Sequence, residues 1–91
     1  MNKITFFKNN KEIEIVPEEI NYSLEYLTIK KDNNETSILL DFKNNRCEIT
    51  MDELKLEIPV IAMNFEKLGE DNIFSWTLVS EPDTKNTIII R

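Results

Sequence analysis

Ninety-one residues are one domain's worth of chain, enough for a single modest core, and Cys47 is the only cysteine, so no internal disulfide supports it. Seventeen acidic residues against eleven basic ones give a net charge of -6, which repels phosphate backbones and anionic lipid surfaces and argues against a nucleic-acid or membrane-surface role. The chain has no histidine, which excludes histidine-based general base catalysis, triad nucleophiles and the commonest zinc sites; its single glycine excludes glycine-rich phosphate loops.

From these absences the chain is expected to be non-catalytic and to carry neither cofactor nor metal. The first twenty residues hold no apolar run of signal or membrane length, so a cytoplasmic, reducing location is expected. The abundance of Asn, Ile and Lys points to an AT-rich genome of the kind many bacteria and phages have. Composition leaves the oligomeric state open, and no linker or repeat divides residues 1–91, so one domain is expected.

Three Asn-Asn pairs punctuate the chain. Asn tolerates positive φ, so each pair can form a two-residue type I′ hairpin loop. A loop at Asn9-Asn10 sets Lys8 against Lys11, Phe6 against Ile13 and Ile4 against Ile15, with Phe7, Glu12 and Glu14 on the other side. Further on, Tyr22, Leu24 and Tyr26 stand in the opposite phase to Leu27 and Ile29, which implies a bulge or a change of sheet near Tyr26.

A loop at Asn33-Asn34 pairs Ile29 with Ile38 and Leu27 with Leu40. One at Asn44-Asn45 pairs Phe42 with Cys47 and Leu40 with Ile49, and sets Asp41 against Glu48. The result is a meander over about residues 22–50 with one apolar face, made of Leu27, Ile29, Ile38, Leu40, Phe42, Cys47 and Ile49. Two like-charge pairs come with it, Asp32 with Glu35 and Asp41 with Glu48, each a mild liability.

Residues 50–69 carry two periodicities. Leu54, Leu56 and Ile58 alternate as in a strand, whereas Ile61, Ala62, Phe65 and Leu68 are spaced as on a helix face. Pro59 suits a helix start and Gly69 a helix end, so a strand at about 53–58 and a short helix at about 60–68 are expected. A competing view has Thr50 and Glu53 as a capping box opening an earlier helix. Ile73–Val79 and Asn86–Ile90 read as the last strands, joined by a loop with Pro82 and Asp83. The expected fold is mainly β, a small antiparallel sandwich or partly open barrel of about seven strands, with one short helix.

Cys47 belongs to the apolar set and is expected in the core, as is Trp76, which alternates with Phe74 and Leu78. Asp41 and Glu48 as a carboxylate pair offer glycosidase-type chemistry only within a cleft, and a strand face has none. The same pair with Glu25 or Thr50, or the run Asp32-Asn33-Asn34-Glu35, offers oxygen ligands to a cation, though the latter lacks a calcium loop's glycine.

Two functional classes follow. One is an acidic protein-binding module of the inhibitor, immunity-protein or antitoxin kind, covering a basic protein partner with a face around Phe7, Glu12, Glu14, Tyr22 and Tyr26, beside Glu18 and Glu19. The other is a barrel or sandwich holding an apolar ligand, or a structural subunit of a larger assembly.

Overall fold

The computed structural model describes residues 3–14, 19–23, 25–31 and 35–91, which form ten strands and no helix. In chain order these are β1 (Ile4–Lys8), β2 (Lys11–Ile13), β3 (Glu19–Tyr22), β4 (Tyr26–Lys31), β5 (Thr36–Asp41), β6 (Arg46–Met51), β7 (Leu54–Ile58), β8 (Val60–Leu68), β9 (Asp71–Leu78) and β10 (Asn86–Ile90). They make two antiparallel five-stranded sheets packed together as a small β-sandwich. The first sheet runs β2-β1-β10-β9-β8 and the second β3-β4-β5-β6-β7. Each strand neighbours its successor except where the chain changes sheet, after β2 and after β7, and β10 returns to pair with β1.

Turn chemistry explains most of the registers. At Asn9-Asn10 the expected pairs form, Phe6 with Ile13, Phe7 with Glu12 and Lys8 with Lys11. Only Asn9 takes positive φ (56°), however, which is the pattern of a type II′ rather than a type I′ loop. Its backbone N–H donates to the Lys85 carbonyl at 2.7 Å, and its Oδ1 accepts from the Lys85 N–H at 2.9 Å, so the turn is anchored to the β9–β10 loop. Ile15 lies outside the described residues.

Two further two-residue loops, Asp52-Glu53 and Gly69-Glu70, share this pattern, with φ of 54° at Asp52 and 61° at Gly69. Gly69 therefore uses its freedom at positive φ, as expected, but in a hairpin rather than at a helix end. Pro82 and Asp83 occupy the middle of a turn closed by the Thr84 N–H donating to the Glu81 carbonyl at 3.1 Å.

The second sheet contains the expected meander, extended at both ends. Ile29 pairs with Ile38 and Leu27 with Leu40, as read from the sequence; the loop at Asn33-Asn34 lies outside the described residues, as does Asp32 of the proposed Asp32–Glu35 pair. The irregularity near Tyr26 is a hairpin and not a bulge: Tyr22 pairs with Leu27, and the Ser23 N–H donates to the Tyr26 carbonyl at 2.9 Å.

Between β5 and β6 the register differs by two residues from the two-residue loop. Leu40 faces Cys47, Ile38 faces Ile49, Leu39 faces Glu48 and Asp41 faces Arg46. The loop holds four residues, 42–45, with Asn45 alone at positive φ (54°). Asp41 dictates this length, because its Oδ1 accepts from the backbone N–H groups of Lys43 and Asn44, both at 3.1 Å, and its Oδ2 accepts from the Asn44 amide at 2.9 Å. A shift of two preserves side-chain phase, so the apolar face survives although its partners change. The expected like-charge pair of Asp41 and Glu48 is replaced by an Asp41–Arg46 pair.

The expected helix at 60–68 is a strand. β8 pairs with β9 from Val60↔Leu78 to Leu68↔Asp71, with a bulge between Val60 and Ala62. The bulge inserts one residue, Ile61, so the inward positions become Val60, Met63 and Phe65, while Ile61, Ala62 and Leu68 of the expected helix face are exposed. Pro59 supplies no ladder donor and marks the switch of sheets, where its carbonyl accepts from the Val79 N–H at 3.1 Å. The turn at Asp52-Glu53 likewise replaces the capping-box helix.

The core lies between the sheets: Leu27, Ile29, Leu40 and Cys47 from one, Phe74, Trp76, Ile88 and Ile90 from the other. Phe74 is fully buried, its ring centroid 4.9 Å from Phe65, 5.3 Å from Phe42 and 6.1 Å from Tyr22. It thus touches rings from both layers.

Candidate functional site

The interior is occupied by side chains. Trp76 is buried as expected, with Phe6 edge-on at 6.2 Å, and Cys47 is buried beneath the meander. Burial, with the Glu48 carboxylate nearby as a lesser cause, pushes the Cys47 thiol up to about 11. Such a thiol is a poor nucleophile. Labelling of Cys47 with a disulfide reagent at pH 8 should run at least about a hundredfold slower in the native protein than in denaturant, since it requires opening of the sheet. The unfolded thiol ionises near pH 9 and the folded one only near 11. The associated stability, roughly 2–3 kcal/mol, is therefore intact below pH 9 and lost as pH rises through 11, which denaturant titrations of wild type and Cys47→Ala across that range will read.

The outward face of the second sheet is a ladder of alternating charge. Glu48 lies 2.8 Å from Arg46 and 3.4 Å from Lys55, while Arg46 also reaches Glu57 at 3.4 Å and Lys30 reaches Glu19 at 3.5 Å. The Asn21 amide and then Lys30 hold the Glu19 carboxyl below its ordinary value. Asp41 is lowered too, first by the Asn44 side chain. Asp41 and Glu48 are thus not partners: Asp41 is committed to its loop and Glu48 to two cations. Leu39, Asp41, Arg46 and Glu48 line a depression of only about 40 Å³. Among the described residues no three Asp, Glu or Cys side chains are grouped to hold a metal ion, and no helix is long and apolar enough to cross a membrane.

The residues expected to form one partner-binding face are distributed over both sheets. Phe7 and Glu12 are cross-strand neighbours on the outward side of the first sheet, Phe7 half-buried and Glu12 exposed, and Glu14 follows β2, exposed. Tyr22 shares the inward row of the second sheet with Leu27 and Leu40, its ring against Phe74. Tyr26 sits on the opposite side of that sheet, paired with Asp41. Glu19 is held by Lys30, and Glu18 lies outside the described residues.

A different surface joins apolar and acidic groups. At the β6–β7 hairpin, Met51 pairs with Leu54 and Ile49 with Leu56 on the side that elsewhere forms the core, yet Met51, Leu54 and Leu56 are 41%, 55% and 43% exposed. The Asp52 N–H donates to the Glu35 carbonyl at 3.2 Å, which brings Glu35, Asp52 and Glu53 to the same tip. No ion pair joins these three to another described side chain. The alternation of Leu54, Leu56 and Ile58 was legible as a strand; that the opposite sheet leaves its outer half uncovered was not.

Comparison of this chain with family models, with curated proteins and with solved structures returns no match.

Proposed function

We propose that this protein is a non-catalytic, acidic protein-binding module of the inhibitor, immunity-protein or antitoxin kind, which acts by covering a basic protein. The observation that carries the reading is the β6–β7 tip, where Met51, Leu54 and Leu56 stand exposed beside Glu35, Asp52 and Glu53. Exposed apolar side chains next to carboxylates that no described cation pairs suit a partner that buries an apolar contact while its own cations meet the acidic turn. Ion pairs hold Glu19, Glu48, Glu57 and Asp71 elsewhere on the surface, whereas at this tip three carboxylates without an ion pair to a described side chain adjoin exposed apolar groups, so the field that steers a basic partner coincides there with a surface it can bury.

The reading is tested by capture from extracts of the native host over a salt series, followed by affinity measurement with the captured protein. A basic partner should be retained at low salt and released at high salt. The triple variant Glu35→Gln, Asp52→Asn, Glu53→Gln should bind it about tenfold more weakly, mainly through a slower association rate. Glu12→Gln, on the other sheet, should bind as wild type. Capture of no basic protein, or binding indifferent to salt, overturns the reading.

A further inference from the structure

Sheet edges expose unpaired backbone groups, and proteins usually blunt them with short strands, charges or proline. Three of the four edges here are blunted in this way. β2 has three residues, including Lys11 and Glu12; β3 has four, beginning at Glu19; β7 has five and carries Lys55 and Glu57. β8 is different. It is nine residues long and holds no proline, its only charges are the opposite pair Glu66 and Lys67, and its one bulge lies at Ile61, before the straight run that starts at Ala62, while among the described residues only β9 pairs with it.

From this edge we infer that β8 is where a second copy of the chain pairs, antiparallel, across a two-fold axis at Phe65. Geometry selects that register. The bulge at Ile61 and the turn at Gly69 bound a straight run from Ala62 to Leu68, whose centre is Phe65. Placing the axis there uses the whole run and sets every residue against one of the same face: Phe65 against its own copy, Met63 against Lys67, Asn64 against Glu66 and Ala62 against Leu68. The side chain of Leu68, 56% exposed in one molecule, gains an apolar neighbour, and no like charges face each other.

Charge also favours a second copy over a basic segment. The strand carries one Glu and one Lys and is therefore neutral, although the chain bears -6. It is a place where two acidic molecules can meet with little local repulsion, and it offers a cation no particular attraction. The remaining long-range repulsion is screened by salt, so this association tightens as ionic strength rises, opposite to the capture of a basic partner at the β6–β7 tip. The two proposals can therefore fail separately.

Sedimentation velocity over a concentration series at low and high salt tests the inference, with Asn64 as the register probe because it is exposed and faces Glu66 of the other copy in this arrangement. Wild type should shift with concentration from the 10.8 kDa chain towards twice that mass, more so at high salt. Asn64→Glu creates two like-charge pairs by symmetry and should weaken the dimer about tenfold; Asn64→Lys creates two opposite-charge pairs and should hold or tighten it. A strict monomer at all concentrations, or equal weakening by both substitutions, overturns the inference.

Discussion

Phe74→Ala is expected to strip away a large share of the chain's stability and to lower its urea midpoint sharply. The ring is fully buried and packs, tilted or edge-on, against Phe65 within its own sheet and against Tyr22 and Phe42 from the other. Truncating a buried aromatic side chain costs about 3–5 kcal/mol when the surroundings cannot close over the cavity. Here they are held apart by two hydrogen-bonded layers, so the cost lies at the upper end. A chain of this length has roughly 5–14 kcal/mol of total stability, of which that loss is a large share. Urea unfolding followed by Trp76 fluorescence reads it directly. Leu54→Ala, at a side chain 55% exposed, should move the midpoint little in the same assay. Near-equal effects of the two substitutions would refute the central place given to Phe74.

The second large effect is expected at Asp41. Its carboxylate accepts two backbone N–H groups and one side-chain amide of the β5–β6 loop, and the residue is only 9% exposed. Asp41→Ala removes all three bonds and orphans two backbone donors at the loop that seats Phe42 on the core, at a cost of about 2 kcal/mol. Asp41→Asn keeps an acceptor for the backbone groups but turns an amide towards the Asn44 amide, and should cost less. The hydrogen bonds that lower the Asp41 pKa favour the ionised form, the Asn44 side chain most. The stability linked to this group is therefore present above the ordinary carboxylate value of 3.8 and drains as pH falls through the lower, folded value. Denaturant midpoints of wild type and Asp41→Ala should converge as acid is added. A gap that stays constant from pH 7 to acid would assign the loop's stability to another group.

Asp41 also shows how far local chemistry reached. The Asn44-Asn45 pair announced a turn, and the alternation around it announced which side chains go inward, because a strand's period of two is a local property. The turn's length was decided by a carboxylate accepting backbone donors two and three residues ahead, which moved every partner by two without changing any face. At Asn9-Asn10 no such side chain competes, and the register expected from a two-residue loop is the observed one.

The misread segment was β8. The residues that suggested a helix face, Ile61, Ala62, Phe65 and Leu68, do not share a face: Ile61 is the bulged residue, Phe65 points inward, and Ala62 and Leu68 stand exposed on the other side of the strand, so exposed apolar residues on this strand produced a three-residue spacing without helical meaning. Gly69 satisfied both readings, since a hairpin loop and a helix end both ask for positive φ. The β-rich class, the core placement of Cys47 and Trp76 and the outward charges of the meander were therefore determined by the sequence alone, through alternation and turn residues. Three things were decided only by the tertiary structure: which sheet each strand joins, how far one sheet covers the other at Met51, Leu54 and Leu56, and which long strand is left at an edge. Those depend on where the chain changes layer at Pro59 and on how two twisted surfaces overlap, and neither leaves a periodic mark on neighbouring residues.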